Sequence, residues 1–169
     1  VCNELSGNYF ATYGNWRTGE QHKWSSINTN ELTPIDRKAL QKQMDEAVKR
    51  ANEAKQIRHN EVAVEVQERY KKCQPVISHE YLKSKNVKSY GLKQMNESLI
   101  VPVYSPSTGE LRSLQYIDKN GQKRFVSASE IKGNIFLIGC EYNTLATQEQ
   151  LVVVEGYSTA ATVFESTNI

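Results

Sequence analysis

The sequence predicts an α+β fold, on three observations. Neither glycine nor proline interrupts residues 35–74, a span suited to one long helix. From Ser98 onward, short runs alternate apolar and polar residues between turn-forming clusters, the pattern of an antiparallel meander. Near the C-terminus, "LVVVEGYSTAATVFE" joins an unbroken apolar run to a helical one, the order of a buried strand and its helix in an α/β sheet. The 169 residues divide accordingly into a small β-rich segment (1–32), a long amphipathic helix (33–74), an antiparallel subdomain (75–148) and the start of an α/β domain (149–169).

The elements follow in order. "NYFATYGNWRTGEQHKW" (8–24) mixes aromatics with Gly14 and Gly19 and reads as a hairpin, whose own small core Trp16 and Trp24 would close. "TPID" then supplies Thr33 as N-cap, Pro34 at the first helical position and Asp36 in the first turn. Leu40, Met44, Ala47, Ala51 and Ala54 share one face, whereas Val62, Val66, Tyr70 and Cys73 follow in another register, so the packing partner or the helix direction changes near residues 58–60. Pro75 ends that helix. "SHEYLKSKNV" reads as a short second helix capped by Ser78, and "LIVPVY" (99–104), "LRSLQYI" (111–117), "KRFVS" (123–127) and "NIFLIG" (134–139) as strands. "SPSTGE" and "DKNGQ" are turns by composition. "LVVVE" is the last strand and the residues after it a helix, with Ser158 or Thr159 as its cap.

Composition narrows the function classes. With 38% apolar and 24% charged residues the chain is globular in type, and no run approaches the roughly 18 apolar residues needed to span a bilayer. No membrane role is expected. Cys2, Cys73 and Cys140 lie too far apart for a disulfide framework or a zinc cluster, which suggests a reducing, cytoplasmic location. A net charge of +2 leaves nucleic-acid binding open, since that depends on where the cations cluster. Without an initiator methionine, and ending one helix after its strongest motif, the chain reads as a segment of a longer protein.

At the C-terminal end of a strand in an open α/β sheet, side chains point into the crevice where ligands collect, and Glu155 stands there. Gly156 would permit the tight strand-to-helix turn. Periodicity alone also fits a glutamate that faces solvent.

Several tracts together resemble the Toprim-containing primases of phages, plasmids and integrated elements. "GNWRTGEQHKW" resembles the tract before their long charged helix, "SHEYLKSKNVKSYGL" their His-Pro-Tyr-Leu segment, and "LIVPVYSPSTGELRSLQYIDKNGQKRFVSASEIKGNIFLIG" their central sheet. "VVVEGYSTAA" is similar to their Glu-Gly-Tyr/Phe-Ala-Thr-Ala signature, and Arg124 in "KRFVS" matches the basic residue before a Tyr-Leu-Asn-Ser strand in the bacterial replicative primase. Glu80 departs from the family's proline. The paired aspartates on later Toprim strands have no counterpart here.

The resemblance implies a DNA-dependent primase, a nucleotidyltransferase that joins ribonucleotides on single-stranded DNA during replication of a mobile element. Residues 149–169 would begin the Toprim domain. Glu155 would be its first acid, serving as ligand to Mg2+ (or Mn2+) or in proton transfer, and this stretch by itself is expected to be inactive. A replicative helicase is a further expected partner. Zinc enters only if an upstream module exists, of which Cys2 would be the remnant.

Template contact is expected on the meander. Arg112, Lys119, Lys123, Arg124 and Lys132 lie on or beside its strands, interleaved with Tyr116, Phe125 and Phe136. Tyr116 and Phe136 read as core. His22, His59 and His79 read as surface or capping residues, and Cys73 and Cys140 as buried or half-buried small side chains. The alternatives are a non-catalytic module that holds single-stranded DNA or docks a helicase, and another Toprim enzyme such as a nuclease or topoisomerase.

Overall fold

A computed structural model of the protein describes residues 2–5, 8–15, 17–27 and 33–168. The chain forms two units, Val1–Ala54 and Lys55–Ile169, with the boundary inside its longest helix.

In the first unit, β1 (Cys2–Leu5), β2 (Asn8–Gly14) and β3 (Gln21–Ser25) form an antiparallel sheet in that order. The expected hairpin is β2 with β3, and β1 adds a third strand. Trp24 does not close a hairpin core. It pairs across the sheet with Ala11, on the face that carries Tyr9 and Tyr13, and all three aromatics are largely exposed because no described residue of this sheet covers that face. Trp16 and the Cys2 side chain lie outside the described residues.

Helix α1 (Pro34–Lys71) starts as expected: the Thr33 hydroxyl accepts from the Asp36 backbone amide at 3.2 Å and donates to the Asp36 carboxylate at 2.6 Å. Ion pairs such as Lys42–Glu46 and Lys49–Glu53 lie along its exposed surface, each worth a few tenths of a kcal/mol. The change of register is a change of burial, without interruption of the helix. Val62, Ala63 and Val66 are buried, whereas Leu40, Met44 and Ala47 are only half-buried.

The second unit is built on a five-stranded antiparallel sheet in strictly sequential order: β4 (Gln74–Pro75), β5 (Lys93–Met95), β6 (Ser98–Tyr104), β7 (Leu111–Ile117) and β8 (Lys123–Phe125). Between β4 and β5 lies α2 (Glu80–Lys85). Its cap is His79 rather than Ser78: Nδ1 accepts from the Tyr81 amide at 3.2 Å and Nε2 donates to the Glu97 carbonyl at 3.0 Å, so a single tautomer makes both bonds. Pro102 is tolerated within β6 because β5 pairs only as far as Ile100, and the missing N–H breaks no ladder there.

Strand alternation gives the sheet two buried faces. Ile100, Leu111 and Leu114 pack with Val62, Val66 and Cys73, the face covered by α1. Leu99, Val101 and Ile117 pack with Tyr81 and Leu82 of α2 and with Tyr157 and Ala161 of α3 (Tyr157–Thr167). Tyr116 and Phe136 pack against these clusters, as expected, and Cys73 is buried with Cys140 half-buried.

Two expected strands are absent. Residues 134–139 make one bridge, Ile135 with Tyr104, and then leave the sheet, because Phe136 and Ile138 turn onto the α3 side of the core. Gly139, at φ 88°, brings the backbone so close to Phe164 that a Cβ would sit 2.5 Å from its ring. Residues 151–155 pair with no described strand. A buried strand needs neighbours for its N–H and C=O groups, and without them Leu151, Val152 and Val153 stand 54%, 51% and 94% exposed.

Candidate nucleic-acid interface

The cross-strand register Val101↔Gln115↔Phe125 puts these three side chains on the α3 side of the sheet. They line an open cleft of about 850 Å³ together with Ile131, Leu151 and Glu155, a volume within the roughly 300–1,000 Å³ usual for ligand sites.

Glu155 is exposed in that cleft, directly before α3. It therefore stands at the start of a helix and not at the end of a strand. Neither Ser158 nor Thr159 caps the helix. The N-cap is Gly156, which makes no side-chain bond, and the Ser158 hydroxyl accepts from the Tyr81 phenol at 3.1 Å.

Three further bonds hold α3, two at its start and one near its end. The Tyr157 phenol accepts from the Tyr90 amide at 2.7 Å and donates to the Lys88 carbonyl at 2.6 Å, and Glu165 accepts from the Lys88 amide at 2.8 Å. Burial pushes the Tyr157 phenol up to about 12, partly offset by the Tyr90 bond, so it stays neutral and keeps its proton for Lys88.

Gly156 is extended, at φ −145°, a conformation open to any residue, so it is not needed for a tight turn. Its lack of a side chain admits a neighbour instead: the Lys123 ammonium lies 3.1 Å from where a Cβ would stand. Lys123 thus joins Glu155 at the start of α3.

The other predicted cations do not gather there. Arg112, with a side chain 12% exposed, is held by Glu130 at 2.8 Å and by Asn60 of α1 at 2.8 Å. Its charge is already neutralised within the fold, which favours a structural role. Lys119 sits in the β7–β8 turn, 3.9 Å from Glu97. Arg124 lies over the Tyr116 ring at 5.6 Å, on the α1 side, and Lys132 is exposed in the second turn after β8. Among the described residues no carboxylate pairs with Lys123, Arg124 or Lys132.

Sequence reasoning missed Gln115 and the Tyr157 bonds. The readable signal for Gln115 was a polar residue at an inward position of "LRSLQYI"; the Tyr157 partners, Lys88 and Tyr90, are too distant in sequence to be read. Among the described residues no group of three or more His, Cys, Asp or Glu could hold a metal ion. Glu155 alone does not make a divalent-cation site, because such sites draw on several oxygen ligands. No helix among them is long and apolar enough to cross a membrane.

Over 166 residues, 96% of this chain, the sequence is 27% identical to a protein named DNA primase TraC from Escherichia coli. The chain spans 15% of that protein's length. No protein-family model matches the chain, and no solved structure matches it.

Proposed function

We propose that this chain is part of a Toprim-type DNA primase of a mobile element, a nucleotidyltransferase that makes RNA primers on single-stranded DNA. The observation that carries this reading is the similarity to DNA primase TraC along nearly the whole chain. Placement of Glu155 and Lys123 together at the start of α3 supports it. In this reading Lys123, with Arg124 and Lys132, meets phosphates of the template, and Glu155 serves the reacting end of the primer. Mg2+ or Mn2+ would need further oxygen ligands beside Glu155, supplied from outside these residues or by substrate phosphates. A replicative helicase and ribonucleotides would be the remaining partners, in the cytoplasm.

The test is Glu155→Gln in the full-length protein, assayed for ribonucleotide incorporation on single-stranded DNA. The variant keeps the side-chain shape and removes the charge. Primer yield should fall below detection while thermal stability and template affinity stay at wild-type levels. Wild-type yield from the variant would remove Glu155 from the chemistry. A full-length wild-type protein that binds the template but makes no primer would favour the non-catalytic binding module.

A further inference from the structure

We propose that Phe125 and Gln115 form a subsite for one base of a single-stranded oligonucleotide, in the cleft that also holds Glu155. The proposal rests on the nucleic-acid reading above and deepens it by naming the groups that take the base.

Phe125 is 38% exposed on the edge strand β8, and it belongs to neither buried cluster. It therefore offers the cleft an aromatic surface that the core does not use. Its cross-strand partner is Gln115, one strand spacing away, about 4.8 Å. Gln115 is half-buried in an otherwise apolar stretch of wall, and its carboxamide makes no hydrogen bond with any described residue. Its amide atoms are open to solvent in the cleft, so they are free to bond a ligand in place of water. A carboxamide carries both donors and an acceptor, as the edge of a base does. Aromatic surface and carboxamide side by side match a base, which presents a face for stacking and an edge for hydrogen bonding.

The charges around the subsite complement a nucleic-acid strand. Lys123 shares the face of Phe125, Arg124 lies on the same edge strand with its side chain toward the α1 side, and Lys132 is exposed in the second turn beyond it, none of them paired with a carboxylate among the described residues. Cations spread along an edge suit successive phosphates of a chain better than the clustered phosphates of a free nucleotide. Exposed Leu151 and Val153 add apolar lining that would otherwise face water.

The experiment measures binding of the full-length protein to a labelled oligothymidylate and to an abasic oligonucleotide of equal length, which keeps the phosphates and lacks the bases. Wild type should bind the base-bearing strand about tenfold more tightly. Phe125→Ala should abolish that difference, leaving abasic affinity and its salt dependence unchanged. Phe125→Trp, which keeps an aromatic ring, should restore it, with tryptophan emission quenched by the base-bearing strand only. Gln115→Leu should narrow the preference among thymidylate, cytidylate and adenylate strands.

Equal wild-type affinity for both strands, or a Phe125→Ala variant that keeps the difference, overturns the subsite while the nucleic-acid reading stands. Absence of binding to either strand overturns both. Competitive loss of the base-dependent part on adding free nucleoside triphosphate assigns the cleft to a mononucleotide and overturns the strand proposal. Hydrogen-exchange protection of Phe125 and residues 151–153 in the unliganded protein assigns the cleft to another segment of the same protein, with the same consequence.

Discussion

The Tyr157 oxygen serves one donor and one acceptor, the Tyr90 amide and the Lys88 carbonyl. Tyr157→Phe removes both bonds and leaves two half-buried backbone groups without partners. The expected loss is about 2 kcal/mol, read from urea unfolding. Because burial raises this phenol from 10 to about 12, the folded state holds the proton more tightly than the unfolded one. Its stabilisation is complete below pH 10 and is lost as pH rises through about 12, so alkaline unfolding of wild type should contain a component that Tyr157→Phe lacks. Two basic residues should separate by the same logic of partners. Arg112→Leu strands Glu130 and should cost about 3 kcal/mol of stability with no change in the salt slope of DNA binding. Lys123→Ala should leave stability almost untouched and reduce that slope by about 0.7. Gly156→Ala displaces only the flexible end of Lys123 and should not unfold the protein.

At the scale of elements, α1 is one helix with two kinds of surface. Val66, fully buried against the sheet, should cost about 2 kcal/mol on truncation to alanine, while Met44→Ala should cost well under 1 kcal/mol. Denaturant midpoints of the two variants check the contrast. The start of this helix was legible because a cap is a local bond, Thr33 to Asp36. The two hairpins of the meander were legible for a similar reason: turn and alternation lie within one short stretch, and β7 spans the residues expected of it. Residues 134–139 and 151–155 were misread because an apolar run states that a segment is strand-like and not whether a neighbour exists to pair with it. Only one bridge forms in the first case and none among described strands in the second.

For the molecule as a whole, both buried clusters draw only on residues within Lys55–Ile169. A protein beginning at residue 55 should therefore unfold cooperatively, with a thermal midpoint within a few degrees of the intact chain, as followed by near-ultraviolet circular dichroism. The candidate site was half legible on this scale. Glu155 stood out by its motif, but its meeting with Lys123 depends on the packing of α3 against the sheet, and Arg112 is taken out of the basic set by Glu130, 18 residues further on. The sequential strand order carries one more consequence, in time. Each strand of the larger sheet after β4 pairs with the strand synthesised just before it, so pairing can begin while the chain is still leaving the ribosome, and from β5 onward it closes only short loops. The α1 side needs nothing later than Leu114 for its buried cluster, whereas the opposite side waits for Tyr157 and Ala161. The nascent protein would thus finish one side of its sheet first and emerge with the future cleft wall bare, a surface that invites chaperone contact until α3 arrives.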